Sequence, residues 1–177
     1  MNVNQIIHDL SWEQLPQAVR NQARRCLLDT IGVAVGGRQT ELSKIIHDFV
    51  TLAYGGQGAQ LWLDGRTASP PGAALANAMT IDALDMHDSC RPVKGHAGVA
   101  LIPAALATLA MDSERDSSGQ ELLTTLVVGY EMAIRAGKAL HATACDYHTS
   151  GAWNALGCAA VTSRRLGLTA DKTRHAL

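Results

Sequence analysis

A chain of 177 residues, 47% hydrophobic and 18% charged, carries enough apolar material for one packed core and has the composition of an ordinary globular domain. Its formal net charge of −1 and 4% aromatic content exclude a global field for nucleic acid or anionic membrane and leave little for base stacking. Charged residues or histidines interrupt every apolar stretch, the first residues lack a basic stretch followed by an apolar one, and the four cysteines form no C-x-x-C pair, so a cytoplasmic chain with free thiols, no membrane span and no secretory signal is expected.

In chain order, Ser11-Trp12-Glu13-Gln14 has the form of a capping box and predicts the start of a first helix. Val19, Ala23, Cys26, Leu27, Thr30, Ile31 and Ala34 follow at helical spacing, and Gly36-Gly37 ends the run. Thr40 is placed to cap a second helix with Leu42, Ile45, Ile46, Phe49, Val50 and Ala53 on one face. Ala59 to Arg66 alternates apolar and polar residues and ends near Asp-Gly, predicting the one strand or extended hairpin arm. Ser69-Pro70-Pro71 opens a small-residue helix expected to run from about Gly72 to about His87.

A polar loop over Ser89 to Gly98 precedes an Ala/Leu helix from about Val99 to Met111, with Pro103 near its first turn. Ser118-Gly119-Gln120-Glu121 is a second capping box, heading a helix with Leu122, Leu123, Leu126, Val127, Tyr130, Ala133 and Ile134 inward. Asp146 to Ser150 is a break, Ala152 to Leu166 a helix closed by Gly167, and Thr169 the cap of a last short one. The expectation is a mainly α fold over residues 1–177, a bundle of six or seven helices with one short extended segment.

Two polar constellations carry candidate chemistry. The first runs from Asp82 to Gly98 and includes Asp85, His87, Asp88, Ser89, Cys90 and His96; Asp85 and Ser89, four apart, share a face if the helix persists that far. The second runs from His141 to Gly151 and includes Cys145 and His148. His96 and His148 each lie just before a predicted helix, where free backbone N–H groups and the positive end of the helix dipole favour bound carboxylates. Two such ends converging with Asp85 would combine anion binding with an acid–base pair, suited to proton abstraction next to a carboxylate. Plain helix capping is the bland alternative for each residue alone. Metal binding by His87, Cys90 and His96, or by His141, Cys145 and His148, is the rival chemistry, but neither spacing matches a common zinc signature. No G-x-S-x-G elbow or glycine-rich phosphate loop occurs, and Ser150-Gly151 reads as a helix cap.

Several segments in order resemble one family. Cys26 to Ala34 contains Leu27-Leu28-Asp29-Thr30-Ile31-Gly32. Ala73-Ala74-Leu75-Ala76-Asn77-Ala78 is followed by Ala83-Leu84-Asp85-Met86-His87-Asp88, then by His96-Ala97-Gly98 and Pro103-Ala104-Ala105-Leu106-Ala107. Gly129-Tyr130-Glu131, His148-Thr149-Ser150-Gly151 and Arg165-Leu166-Gly167-Leu168 complete the set. Together they resemble the amino-terminal part of the large helical domain of the MmgE/PrpD family, which includes 2-methylcitrate dehydratase, cis-aconitate decarboxylase and iminodisuccinate epimerase.

That resemblance implies a lyase acting on a small polycarboxylate without metal or organic cofactor, and a homodimer or larger oligomer. It also implies catalytic positions at Asp85, His96 and His148 and a substrate-binding hydroxyl at Ser89, where relatives often carry Thr. An epimerase of the iminodisuccinate type and a non-catalytic helical dimerisation remnant remain open. Three departures bear on the substrate: His87-Asp88 stands where the family has two acidic residues, the loop before His96 is about one residue longer and holds Arg91 and Lys94, and Ala97 follows His96 in place of Pro. Family members are more than twice as long, with a second α/β domain and carboxy-terminal helices. A fragment, a natural truncation and half of a split enzyme are all compatible with this, and a chain weak or inactive alone is expected.

Overall fold

The computed structural model describes residues 2–56, 58–111, 118–144 and 149–177. Among them are eight α-helices and one two-stranded sheet: α1 (Val3–Asp9), α2 (Gln17–Gly37), α3 (Glu41–Ala53), β1 (Ala59–Gln60), β2 (Thr67–Ala68), α4 (Pro70–Asp82), α5 (Gly98–Leu109), α6 (Gly119–Thr143), α7 (Gly151–Arg165) and α8 (Ala170–Ala176). The mainly α expectation holds, with one more helix than the sequence count.

The extra helix is α1, whose own capping box pairs Asn2 and Gln5. The Ser11 box starts only a 3₁₀ turn over Trp12–Gln14. Pro16 cannot donate into a continuing helix and holds Leu15 extended, so the long helix restarts at Gln17. Arg164 of α7 ties this amino-terminal segment down: it donates to the carbonyls of Ile7 (2.8 Å) and Leu10 (2.9 Å) and pairs through two nitrogens with Glu121. The second capping box is therefore only half formed. Ser118 accepts from the Glu121 N–H, while the Glu121 carboxylate turns to Arg164.

The main core gathers Val93, Leu101, Ile102 and Ala105 with Leu126 and Ala133 of α6 and Trp153 and Val161 of α7. α5 is central, against α4 on one side and α6 and α7 on the other. The helices α6 and α7 cross where Gly157 meets the Gly129 backbone, an approach that a Cβ on either residue would obstruct. Pro103 is the sixth residue of α5 and buried, deeper than the first turn expected for it. A second core cluster joins Ile46 and Val50 of α3 to the hairpin and α4.

The buried face of α3 is rotated from the expected one. Ser43, Ile46, His47 and Val50 point inward, whereas Leu42, Ile45 and Phe49 are exposed. Polar partners make this possible: Ser43 donates to the Gly37 carbonyl, and His47 bridges Asp64 (3.0 Å) and Thr80 (2.9 Å). On α2, Ile31 is likewise exposed together with Leu28 and Val35. The extended segment is smaller than predicted. Ala59 pairs with Ala68 and Gln60 with Thr67, and the intervening residues form the connection. Buried Asn77 of α4 clamps this hairpin, accepting from Trp62 N (2.8 Å) and donating to the Gln60 carbonyl (3.1 Å).

Candidate active site

The helix expected to reach His87 ends at Asp82. Asp85 adopts the left-handed conformation, with φ of 48°, and its N–H closes a tight turn on the Asp82 carbonyl at 2.8 Å. Aspartate tolerates that region better than most residues. The break means that Asp85 and Ser89 do not share a helix face. Residues 83–97 instead form an irregular segment folded over the start of α5, with Cys90 N–H donating to the Gly95 carbonyl around a 3₁₀ turn at Arg91–Val93.

His96 is fixed on all sides but one. Its backbone N–H donates to Ser150 Oγ (2.9 Å), and its carbonyl accepts from Asn154 Nδ2 (2.6 Å), so α7 clamps both main-chain groups. Its Nδ1 lies 2.8 Å from the Asp88 carbonyl and 2.8 Å from His87 Nδ1. Its Nε2 is turned to Asp85 Oδ1 at 3.9 Å, on the open side of the segment. Behind it, His87 has a fully buried side chain, and its Nε2 is 2.7 Å from Asp82 Oδ1. The two imidazoles meet edge to face, with centroids 4.2 Å apart.

Asp88 serves the next helix rather than ending the previous one. Its Oδ2 faces the first N–H of α5, that of Gly98 (3.4 Å), and accepts from the Tyr130 hydroxyl (3.0 Å). A Cβ at position 98 would collide with that hydroxyl and with Asp88. Burial, reinforced by the Asp88 charge, raises the Tyr130 phenol far above its usual range, so it stays a donor. The amino terminus of α5 is therefore occupied by the chain's own carboxylate and does not point to an incoming anion, contrary to the expectation drawn from the position of His96.

Of the residues singled out from sequence, the structure brings Asp85 and His96 together. Ser89 is exposed and lines a different cavity of about 320 Å³, with Cys26, Asp88 and Tyr130. His148, with Cys145, lies outside the described residues. Asp85, His87 and His96 bring one ligand-type atom each within 4.8 Å of one another, so the metal rival survives with Asp85 in the place expected of Cys90. The 2.8 Å between the two Nδ1 atoms is nonetheless the length of an N–H···N bond, shorter than the roughly 3.3 Å that separates nitrogens on a tetrahedral zinc. The sequence assigned no role to Asp82 or Asn154 and only a capping role to Ser150. Ser150 looked like a helix cap, but its side chain caps nothing in α7 and takes the His96 N–H instead. These partners lie up to 58 residues away along the chain, and no local pattern announces them.

Comparison with known proteins gives the family. The MmgE/PrpD N-terminal domain matches residues 2–177. The chain is 29% identical over 178 residues to human cis-aconitate decarboxylase, covering 97% of this chain and 36% of that protein. It is 28% identical to a cis-aconitate decarboxylase-like protein of Aspergillus oryzae, over 97% of this chain and 37% of that one. It is 27% identical to cis-aconitate decarboxylase of Aspergillus terreus, over 96% and 36%. The chain thus spans little more than a third of the length of these relatives, and it belongs to the MmgE/PrpD family.

Proposed function

We propose that this MmgE/PrpD chain carries the proton-transfer half of a lyase site for a small polycarboxylate, working by dehydration or decarboxylation without a cofactor. The observation that carries the reading is the pairing of His96 Nε2, open and 3.9 Å from the Asp85 carboxylate, with a His96 ring whose Nδ1 is already engaged behind it. A base so placed takes a proton from the carbon next to a carboxylate, and the electron pair left behind expels a hydroxyl that departs with a second proton. In a decarboxylation the electron pair of the broken C–C bond stays on carbon as CO₂ departs, and an imidazolium, charged beforehand from water, delivers the one proton that the carbanion needs. Asp85 orients the ring or accepts its charge, and His148 is the second candidate for proton transfer. The names of the relatives support decarboxylation of a tricarboxylate as the reaction class.

Both groups of the pair are accessible to water, with 29% of the His96 side chain and 84% of the Asp85 side chain exposed. The reading is therefore of a half-site, weak in this chain alone and completed by further polypeptide, within a homodimer or larger oligomer. The test is turnover of cis-aconitate and 2-methylcitrate, with nuclear magnetic resonance of His96 and Asp85 during titration with each acid. Residual turnover falling by about 100-fold or more in His96→Ala and Asp85→Asn is expected. Perturbation of both residues by the polycarboxylate is expected as well. Turnover indifferent to His96→Ala, or neither turnover nor perturbation, refutes the assignment.

A further inference from the structure

We propose that His87, held by Asp82, is a positioning residue that locks the His96 ring in place by accepting its Nδ1 proton, so that the lone pair on Nε2 stays turned to Asp85. The inference rests on His96 being the proton carrier of the preceding section.

Proton count assigns the tautomer. His96 Nδ1 lies 2.8 Å from the Asp88 carbonyl, which can only accept, so the proton of a neutral His96 sits on Nδ1. The opposite tautomer would set two lone pairs against each other at that distance. With that proton in place, His87 Nδ1, 2.8 Å away, must be the acceptor of a shared N–H. His87 is then protonated on Nε2, which donates to Asp82 Oδ1 at 2.7 Å. Each link requires the next, and no link can be reversed while the Asp88 carbonyl stays where it is.

Burial makes the arrangement specific. The His87 side chain is 1% exposed, so water does not compete for its Nδ1, while the Asp82 carboxylate at the end of the relay is 63% exposed. When His96 Nε2 takes a proton, the added charge strengthens the Nδ1–H donation to His87, and the polarised His87 donates more strongly to Asp82. His87 touches no substrate in this scheme. The Asp88 carbonyl sets which nitrogen of His96 is basic, and His87 holds where that nitrogen points.

The experiment is nitrogen-15 resonance on the uniformly labelled chain, treated with a chelator, without any need for turnover. A protonated Nδ1 and unprotonated Nε2 on His96 are expected, with a resolved nitrogen–nitrogen coupling across the hydrogen bond to His87 Nδ1. His87→Phe should abolish that coupling and speed exchange of the His96 Nδ1 proton with water, while the Nδ1–H tautomer that the Asp88 carbonyl imposes persists. His87→Gln, whose amide can accept from His96 and donate to Asp82, should slow that exchange again. Should the phenylalanine variant not fold, the wild-type coupling and the glutamine rescue decide the matter. Absence of the coupling in the wild type, unchanged exchange of the His96 Nδ1 proton in His87→Phe, or about one tightly held zinc per untreated chain in place of the coupling overturns the inference. A coupling present while turnover ignores His96→Ala refutes the proposed function and leaves the lock standing; turnover that requires His96 without any coupling does the reverse.

Discussion

Replacing Asp64 with Asn tests the polar cluster that holds the hairpin connection to α2 and α3. The Asp64 side chain is only 3% exposed and accepts from Arg66 through Nε and Nη2, from Arg38 Nη2 at 2.7 Å and from His47 Nδ1 at 3.0 Å. Arg66 above all, then His47, holds the carboxyl well below the usual carboxylate range, against the opposing effect of burial. Hydrogen bonds to a charged group contribute about 1.5–3 kcal/mol when one partner is neutralised. For a chain of this size the expected loss is roughly 3–12 °C in Tm at pH 7.

The pH dependence has a definite sign. Asp64 has a depressed folded pKa, so its contribution is complete above about pH 4 and is lost as the pH falls further. His47 is also depressed, chiefly by burial; it stabilises fully above about pH 6.5, and that contribution fades as the pH drops below it. His8, lowered by burial and by Arg164, acts in the same window as His47. Thermal unfolding followed by circular dichroism from pH 8 to pH 3 should show the wild type weakening below pH 6.5 and again below pH 4. In Asp64→Asn the lower step should vanish, and in His47→Gln the upper step should shrink without disappearing. An Asp64→Asn chain within about 0.5 kcal/mol of wild type at pH 7 with both steps intact would refute the reasoning.

Two further outcomes are expected. Gly98→Ala should separate Tyr130 from Asp88 and lower stability by about 1–3 kcal/mol, the cost of an overpacked site, measured by urea denaturation with the tyrosine environment followed by near-ultraviolet circular dichroism. The exposed stripe of Leu42, Ile45, Phe49 and Leu52 on α3, with Leu52 87% exposed, suits burial in an oligomer; sedimentation should show the wild type larger than a monomer and a Phe49→Glu/Leu52→Glu double variant shifted toward monomer, whereas a monomeric wild type contradicts the expectation.

The parts of the fold legible in the sequence are those governed by local chemistry. Thr40, Ser118 and Thr169 cap the helices they were expected to cap, because a side-chain oxygen reaching an N–H three residues on is a short-range event. Gly167, with φ of 58°, closes α7 for the same kind of reason. What was misjudged depended on distant partners. The inward turn of α3 follows from Asp64 and Thr80, which satisfy His47 from elsewhere in the chain. The end of α4 at Asp82 follows from a left-handed Asp85 in a stretch whose composition is otherwise compatible with helix. At the site, Asp85 and His96 stood out in the polar constellation and the resemblance implied their roles, whereas the contacts by which Ser150, Asn154 and Asp82 hold the histidines in place became visible only with the chain folded.

The exposure of the Asp85–His96 pair ties the proposed chemistry to what covers it. Two opposite charges 3.9 Å apart attract by about 1 kcal/mol in bulk water but by about 4 kcal/mol at an effective dielectric of 20. The back of the site is already dry and saturated with partners, since His87 is buried and the main chain of His96 is bonded at both ends. Its front is wet. Under the proposed function, polypeptide laid over Asp85 and His96 strengthens catalysis even where it contributes no reacting group, because excluding water multiplies an interaction whose geometry this chain has set. Positioning resides in this stretch of chain. Asp88 sets the tautomer of His96, and His87 with Asp82 holds its ring, all within the fourteen residues before it, so the base keeps its orientation before the site is closed.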